Sequence, residues 1–157
     1  MSTKISVHCS YNEAIKSNTA IRRDIDNVPN HNQLANMIHV AEEVFEPVRK
    51  ALGNKSIQIN SFFRSVELNK AIGGSSTSQH CSGEAMDLDG DNTGVDNKKI
   101  FDYIKDGLVF DQLIWEFGNK DKPAWVHVSR KLNGNRRQSL QAYKENGRTR
   151  YKEFDLY

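Results

Sequence analysis

The chain has 157 residues, enough for a single domain (1–157) whose core needs neither disulfide nor metal to fold. Hydrophobic residues make up 37% of it, mean hydropathy is −0.70, and no run approaches the length of a transmembrane helix. The net charge of +2 gives no general case for nucleic-acid binding.

Taken in order, Met1 to His8 lacks an apolar core, so Sec-type export is not expected. Residues 1–28 are polar and weakly periodic, with room for a short helix and loop over 12–25. Residues 29–53 carry the clearest helical pattern. Leu34, Ile38, Ala41, Phe45, Val48 and Leu52 form one stripe. Pro29 suits the first turn, Gly53 the stop, and Pro47 predicts a kink or break. His39 beside the stripe reads as structural or surface. Residues 56–62 alternate as a strand with Ile57 and Ile59 inward. Ser65 is placed to cap a helix over 66–72, ended by Gly73-Gly74.

A loop leads to a second strand over 84–88, on which Ala85 and Asp87 share a face. A polar turn-rich segment covers 89–96. A second amphipathic helix is expected over 97–108, with Ile100, Phe101, Ile104 and Leu108 inward. Residues 110–117 read as a strand carrying Glu116. In 125–129, alternation puts Trp125, His127 and Ser129 on one face. The C-terminal part reads as a helix near 138–144 and a final strand. The expected architecture is α+β, a small antiparallel sheet with helices packed on one side. Charge is uneven there: Arg130, Lys131, Arg136, Arg137, Lys144, Arg148, Arg150 and Lys152 face only Glu145. Such a segment can lie on an anionic polymer, though a solvated surface is the plainer reading.

The chemistry centres on Ser78-Gln79-His80-Cys81-Ser82-Gly83-Glu84-Ala85-Met86-Asp87. His80 offers a neutral imidazole nitrogen and Asp87 a carboxylate oxygen to one divalent metal. A catalytic zinc site wants three protein ligands and an open position. His127, on an apolar strand between Val126 and Val128, is the natural third. Cys81 is read as a packed residue, because in an extended segment it would point away from its neighbour. Cys9 and Cys81 form no CxxC pair, and no disulfide framework is expected.

Ser78-x-His80-x-x-Gly83-x-Ala85-x-Asp87 resembles the SxHxxGxAxD motif of the zinc D-alanyl-D-alanine carboxypeptidase family of murein peptidases. Trp125-x-His127 is similar to its second metal motif, and Phe62-Phe63-Arg64-Ser65 to its arginine-bearing segment. Residues 68–74 fit the stretch leading to the histidine, and 110–117 are similar to the branch common in phages and prophages. The resemblance covers roughly residues 12 to 130. It implies a single Zn2+ held by His80, Asp87 and His127 on the sheet, a site that hydrolyses peptide bonds of peptidoglycan stem peptides, and a phage-type lysis enzyme. Arg64 would polarise the scissile carbonyl or hold a substrate carboxylate. Ser78 would orient substrate or ligand, and Trp125 would belong with the substrate-binding residues.

Many relatives carry the catalytic carboxylate three residues before the last histidine, where this chain has Ala124. Glu116 is expected to replace it, held on a strand between Trp115 and Phe117, whose apolar surroundings would raise its pKa. Asp121, in a Lys-Asp-Lys loop, is expected to be solvated. A lysis enzyme of this kind would be cytoplasmic when made and reach the wall through a separate membrane lesion. Its partner would be the peptidoglycan peptide, with no nucleic acid or membrane, as a monomer. The alternative is a catalytically idle zinc-containing module that binds the wall or serves in a phage tail.

Overall fold

A computed structural model of the chain describes residues 4–155. A short hairpin opens it, β1 (Lys4–Ser6) with β2 (Cys9–Ser10), followed by α1 (Tyr11–Ile15) and α2 (Asn18–Arg23). The hairpin is not among the elements expected from the sequence, and the single helix expected over 12–25 is two helices. The serines at 10 and 17 explain the division, since each caps a new helix by accepting a backbone N–H three residues on.

The long helical pattern runs through α3 (His31–Val40), a π-helical turn (Ala41–Phe45) and α4 (Glu46–Ala51). An Asn30–Gln33 capping box starts α3. Pro47 neither breaks the helix nor ends it. Lacking an N–H and crowding the carbonyl four residues back, it is accommodated by the wider turn before it, where Glu46 N–H donates to the Ala41 carbonyl. Of the expected stripe, Ala41, Phe45 and Val48 are buried, while Leu34, Ile38 and Leu52 are half-buried against the core and Met37, Val40 and Val44 are buried beside them.

The remaining elements are β3 (Gln58–Ser61), α5 (Val66–Ala71), a 3-10 turn (Gln79–Ser82), β4 (Ala85–Asp89), α6 (Asn97–Gly107), β5 (Gln112–Glu116), β6 (Trp125–Ser129), β7 (Gln138–Glu145) and β8 (Arg148–Glu153). Ser65 caps α5 as expected, accepting from Leu68 N–H. The large sheet has six strands in the order β3-β4-β6-β5-β7-β8. It is mixed, because β7 pairs in parallel with β5. This corrects the small antiparallel sheet expected from the sequence. Residues 138–144 are strand, not helix, which corrects a second expectation.

Alternation divides the sheet into two faces. Met86, Leu88, Leu113, Trp115, Val126 and Val128 point into one core with the helices, among them Phe45, Ile100, Phe101 and Ile104. The opposite face carries Asp87, His127, Ile114 and Glu116 toward a broad cleft. Burial on the first face therefore fixes what the second displays, since a one-residue slip would exchange the two sets.

Candidate functional site

His80 enters the cleft from the 3-10 turn. Ser78 caps that turn, its Oγ accepting from His80 N–H at 3.3 Å. Gly83 ends it at φ +79°. A Cβ on Gly83 would stand 2.4 Å from the Gln33 carbonyl oxygen and 2.9 Å from Met37 Cγ, so only glycine lets α3 lie this close. The same helix holds the turn through polar contacts. Gln33 Nε2 donates to the Cys81 carbonyl at 3.0 Å, and Asn36 Nδ2 to the Ser82 carbonyl at 2.9 Å. Cys81 thus sits in a helical turn, not in the extended segment assumed from the sequence, and it is outside the group that could hold a metal.

The His80 ring is 1% exposed. Its Nδ1 lies 2.7 Å from the Phe62 carbonyl. A carbonyl only accepts, so Nδ1 carries the proton and Nε2 presents a lone pair. Nε2 is buried without a hydrogen-bond partner, 3.3 Å from Asp87 Oδ2 but not aligned to bond with it. Asp87 and His127 face one another across the β4–β6 ladder, and His127 Nδ1 lies 3.0 Å from Asp87 Oδ1. Ligand atoms of His80, Asp87 and His127 all lie within 4.8 Å of one another, the one such group among the described residues.

The electrostatics match this donor set. Burial pushes the His80 pKa down, against the pull of Asp87, and favours the neutral imidazole. Burial alone would raise Asp87, but the imidazoles of His80 and His127 hold it well below the usual carboxylate range. Two neutral-capable nitrogens and an ionised carboxylate are the donors a divalent metal requires.

Glu116 lies on the same face, one row along the sheet. Its strand neighbour is Trp125, and its carbonyl accepts Ala124 N–H at 2.9 Å. Ala124, the position at which the resemblance implies an acid, thus lies beside Glu116, immediately before β6. Burial raises the Glu116 pKa to about 7, with His127 opposing and Asp87 adding to the shift. Asp121 sits in an exposed turn held by Asn119. Arg64 lines the cleft with its Nε buried and unpartnered. Burial lowers its pKa and Asp87 partly offsets this. Its backbone N–H donates to the His80 carbonyl, joining the two segments.

The cleft has a volume of about 1410 Å³ and also takes in Ser78 and Trp125, so all seven residues singled out from the sequence border it. Sequence reasoning missed its far wall, formed by Leu140, Thr149 and Tyr151 of β7 and β8. It missed also an ion pair at one end, between a buried carboxylate and a half-exposed guanidinium. Asp111 is fully buried and receives Arg136 Nη2 at 2.7 Å and Gln79 Nε2 at 2.9 Å, tying the C-terminal segment to the residue before His80.

The Peptidase M15 family model matches residues 7–129, and the chain belongs to that family. Over 49 residues it is 43% identical to the zinc D-Ala-D-Ala carboxypeptidase of Streptomyces albus G, a stretch covering 31% of this chain and 19% of that protein.

Proposed function

We propose that this chain is a zinc peptidase, one domain over 1–157, that hydrolyses peptide bonds of bacterial peptidoglycan stem peptides. The observation that carries the proposal is the convergence of His80 Nε2, the Asp87 carboxylate and the His127 imidazole in one cleft with Glu116. The orphaned, buried Nε2 of His80 is what a metal ligand looks like before it is satisfied. The substrate class follows from membership in family M15 and from the similarity to a carboxypeptidase of that name.

His80, Asp87 and His127 would hold the metal, leaving a position open to the cleft. Bound zinc supplies a Lewis acid and lowers the pKa of water toward ~7. Glu116 takes the proton of the attacking water and passes it to the leaving amine, and a pKa near neutrality suits it to both transfers. Arg64 brings a permanent positive charge to the developing oxyanion or to a substrate carboxylate. Ser78 holds the turn that presents His80, and Trp125 supplies an apolar wall. Asp87 and Glu116 have separate duties, one fixed as a ligand and one free to exchange a proton.

A phage-type lysis role, with a monomer made in the cytoplasm and released through a membrane lesion, belongs to this reading. It rests on the likeness of residues 110–117 to the phage branch. Among the described residues no helix is long and apolar enough to cross a membrane. The other reading, an idle zinc-containing binding module or tail part, is favoured only by Ala124, and Glu116 lies beside that position.

Incubation of the purified protein with murein, followed by mass spectrometry of the muropeptides, tests the proposal and identifies the bond cut. New peptide termini that vanish on chelation and return with zinc are expected. Binding to murein without cleavage would establish the idle module instead.

A further inference from the structure

The hairpin β7–β8 lies beyond the residues matched to the family, 7–129, yet it walls the cleft. Strand register places Trp125, Glu116, Ala142 and Tyr151 in one row across four strands. Ala142, between Glu116 and Tyr151, is fully buried and only a methyl group high. A long side chain at this position of β8 therefore has only a methyl group between it and Glu116 along the row. Tyr151 is 55% exposed, so the protein leaves most of its surface uncovered. Tyr151 nevertheless lines the same cleft as Glu116. A phenol is protonated at neutral pH and can donate, and burial, then the negative charges of Glu116 and Asp87, push its pKa further up. An amphipathic ring with a polar tip, uncovered at the rim of a polar cleft, is suited to contact with a ligand.

We propose that Tyr151 contacts the bound peptide, its ring walling the cleft on the Glu116 side and its hydroxyl donating a hydrogen bond to a backbone carbonyl of the substrate. This rests on the peptidase reading above and extends it to a residue outside the family-matched segment. The hairpin then does more than close the sheet edge, because it completes the substrate wall.

The test compares wild type with Tyr151→Phe, Tyr151→Ala and Tyr143→Phe, the last a tyrosine of the same hairpin on the opposite face. Each is assayed for kcat/KM on a muropeptide, zinc content and Tm. A second arm titrates an intact stem peptide into the Glu116→Gln protein, with and without Tyr151→Phe, by calorimetry. Tyr151→Phe is expected to lower kcat/KM by about ten-fold and to weaken the peptide Kd by a similar factor, as loss of one neutral hydrogen bond does. Zinc content and Tm should stay at wild-type values, and Tyr143→Phe should match wild type. A Tyr151→Phe protein within about two-fold of wild type in both arms, or equal losses in Tyr143→Phe, would overturn the assignment. If wild type cleaves nothing, the peptidase reading falls, while the calorimetric arm still decides whether Tyr151 contacts the peptide.

Discussion

His80 shows how much a single side chain can be committed by its surroundings. The Phe62 carbonyl selects one tautomer, burial keeps the ring neutral, and Nε2 is left facing Asp87. Replacing His80 or His127 with alanine would leave two of the three proposed ligands, and the proteins should lose tight zinc by elemental analysis after dialysis. Glu116→Gln should keep its zinc and lose roughly 100-fold or more in kcat, the range for removing a general acid–base group. Wild-type turnover in the Glu116→Gln protein would remove Glu116 from the mechanism. Linkage gives a second check. The Glu116 pKa is raised from 4.5 to about 7, so the folded state holds this proton where the unfolded chain has released it. Its contribution to stability is therefore full below pH 4.5 and is lost as pH rises toward 7. His80, with a lowered pKa, acts in the opposite sense over part of that window. The comparison that isolates Glu116 is zinc-free wild type against zinc-free Glu116→Gln. The stability difference between the two should change by up to about 3 kcal/mol across the window in urea titrations.

At the level of elements, the site depends on α3 lying against the 3-10 turn. Gly83→Ala would strain a left-handed backbone position and drive a methyl group into the Gln33 carbonyl. A loss of about 2–4 kcal/mol is expected in denaturant unfolding, together with weaker zinc binding because His80 rides on that turn. Unchanged zinc affinity would mean that the turn does not govern ligand placement. The same scale explains what the sequence could reveal. Asp87, Glu116 and His127 could be put on one face because they lie on β4, β5 and β6, where side chains are placed by counting, while His80, on a 3-10 turn, was reached through its spacing to Asp87. The wall beyond them was not. Gln138, Leu140, Gln141, Ala142 and Lys144 are good helix formers, and nothing local announces that a strand will pair in parallel with β5 across an intervening strand. One signal was present: Asn146-Gly147, both at positive φ, is the dipeptide that favours a tight hairpin. Given its due weight, it turns 138–153 into two strands and brings Tyr151 to the cleft.

Over the whole molecule, the sheet's two faces have separate tasks, one sealed against the helices and the other given to the cleft. The Asp111–Arg136 pair joins the C-terminal segment to the body at the site's edge. Burial would raise the Asp111 pKa, but hydrogen bonds from Arg136 and Gln79 lower it from 3.8 to about 2. Its stabilisation is complete above pH 3.8 and is lost as pH falls toward 2. Asp111→Asn should therefore flatten the acid limb of the wild-type unfolding curve, measured as Tm against pH. An unaltered acid limb would assign acid sensitivity to other carboxylates.

The outermost strand bears on how this molecule behaves in a crowded solution. β8 is exposed along its whole length and, among the described residues, has a strand on one side only. Its free edge offers unpaired backbone groups to any extended chain it meets. Arg148, Arg150 and Lys152 recur at alternate positions along it. Another copy approaching in the same manner would bring like charges together, which is how natural sheets discourage edge-to-edge aggregation. The basic run that first suggested an anionic partner thus also guards the hairpin that carries Tyr151 from being recruited into a neighbour's sheet.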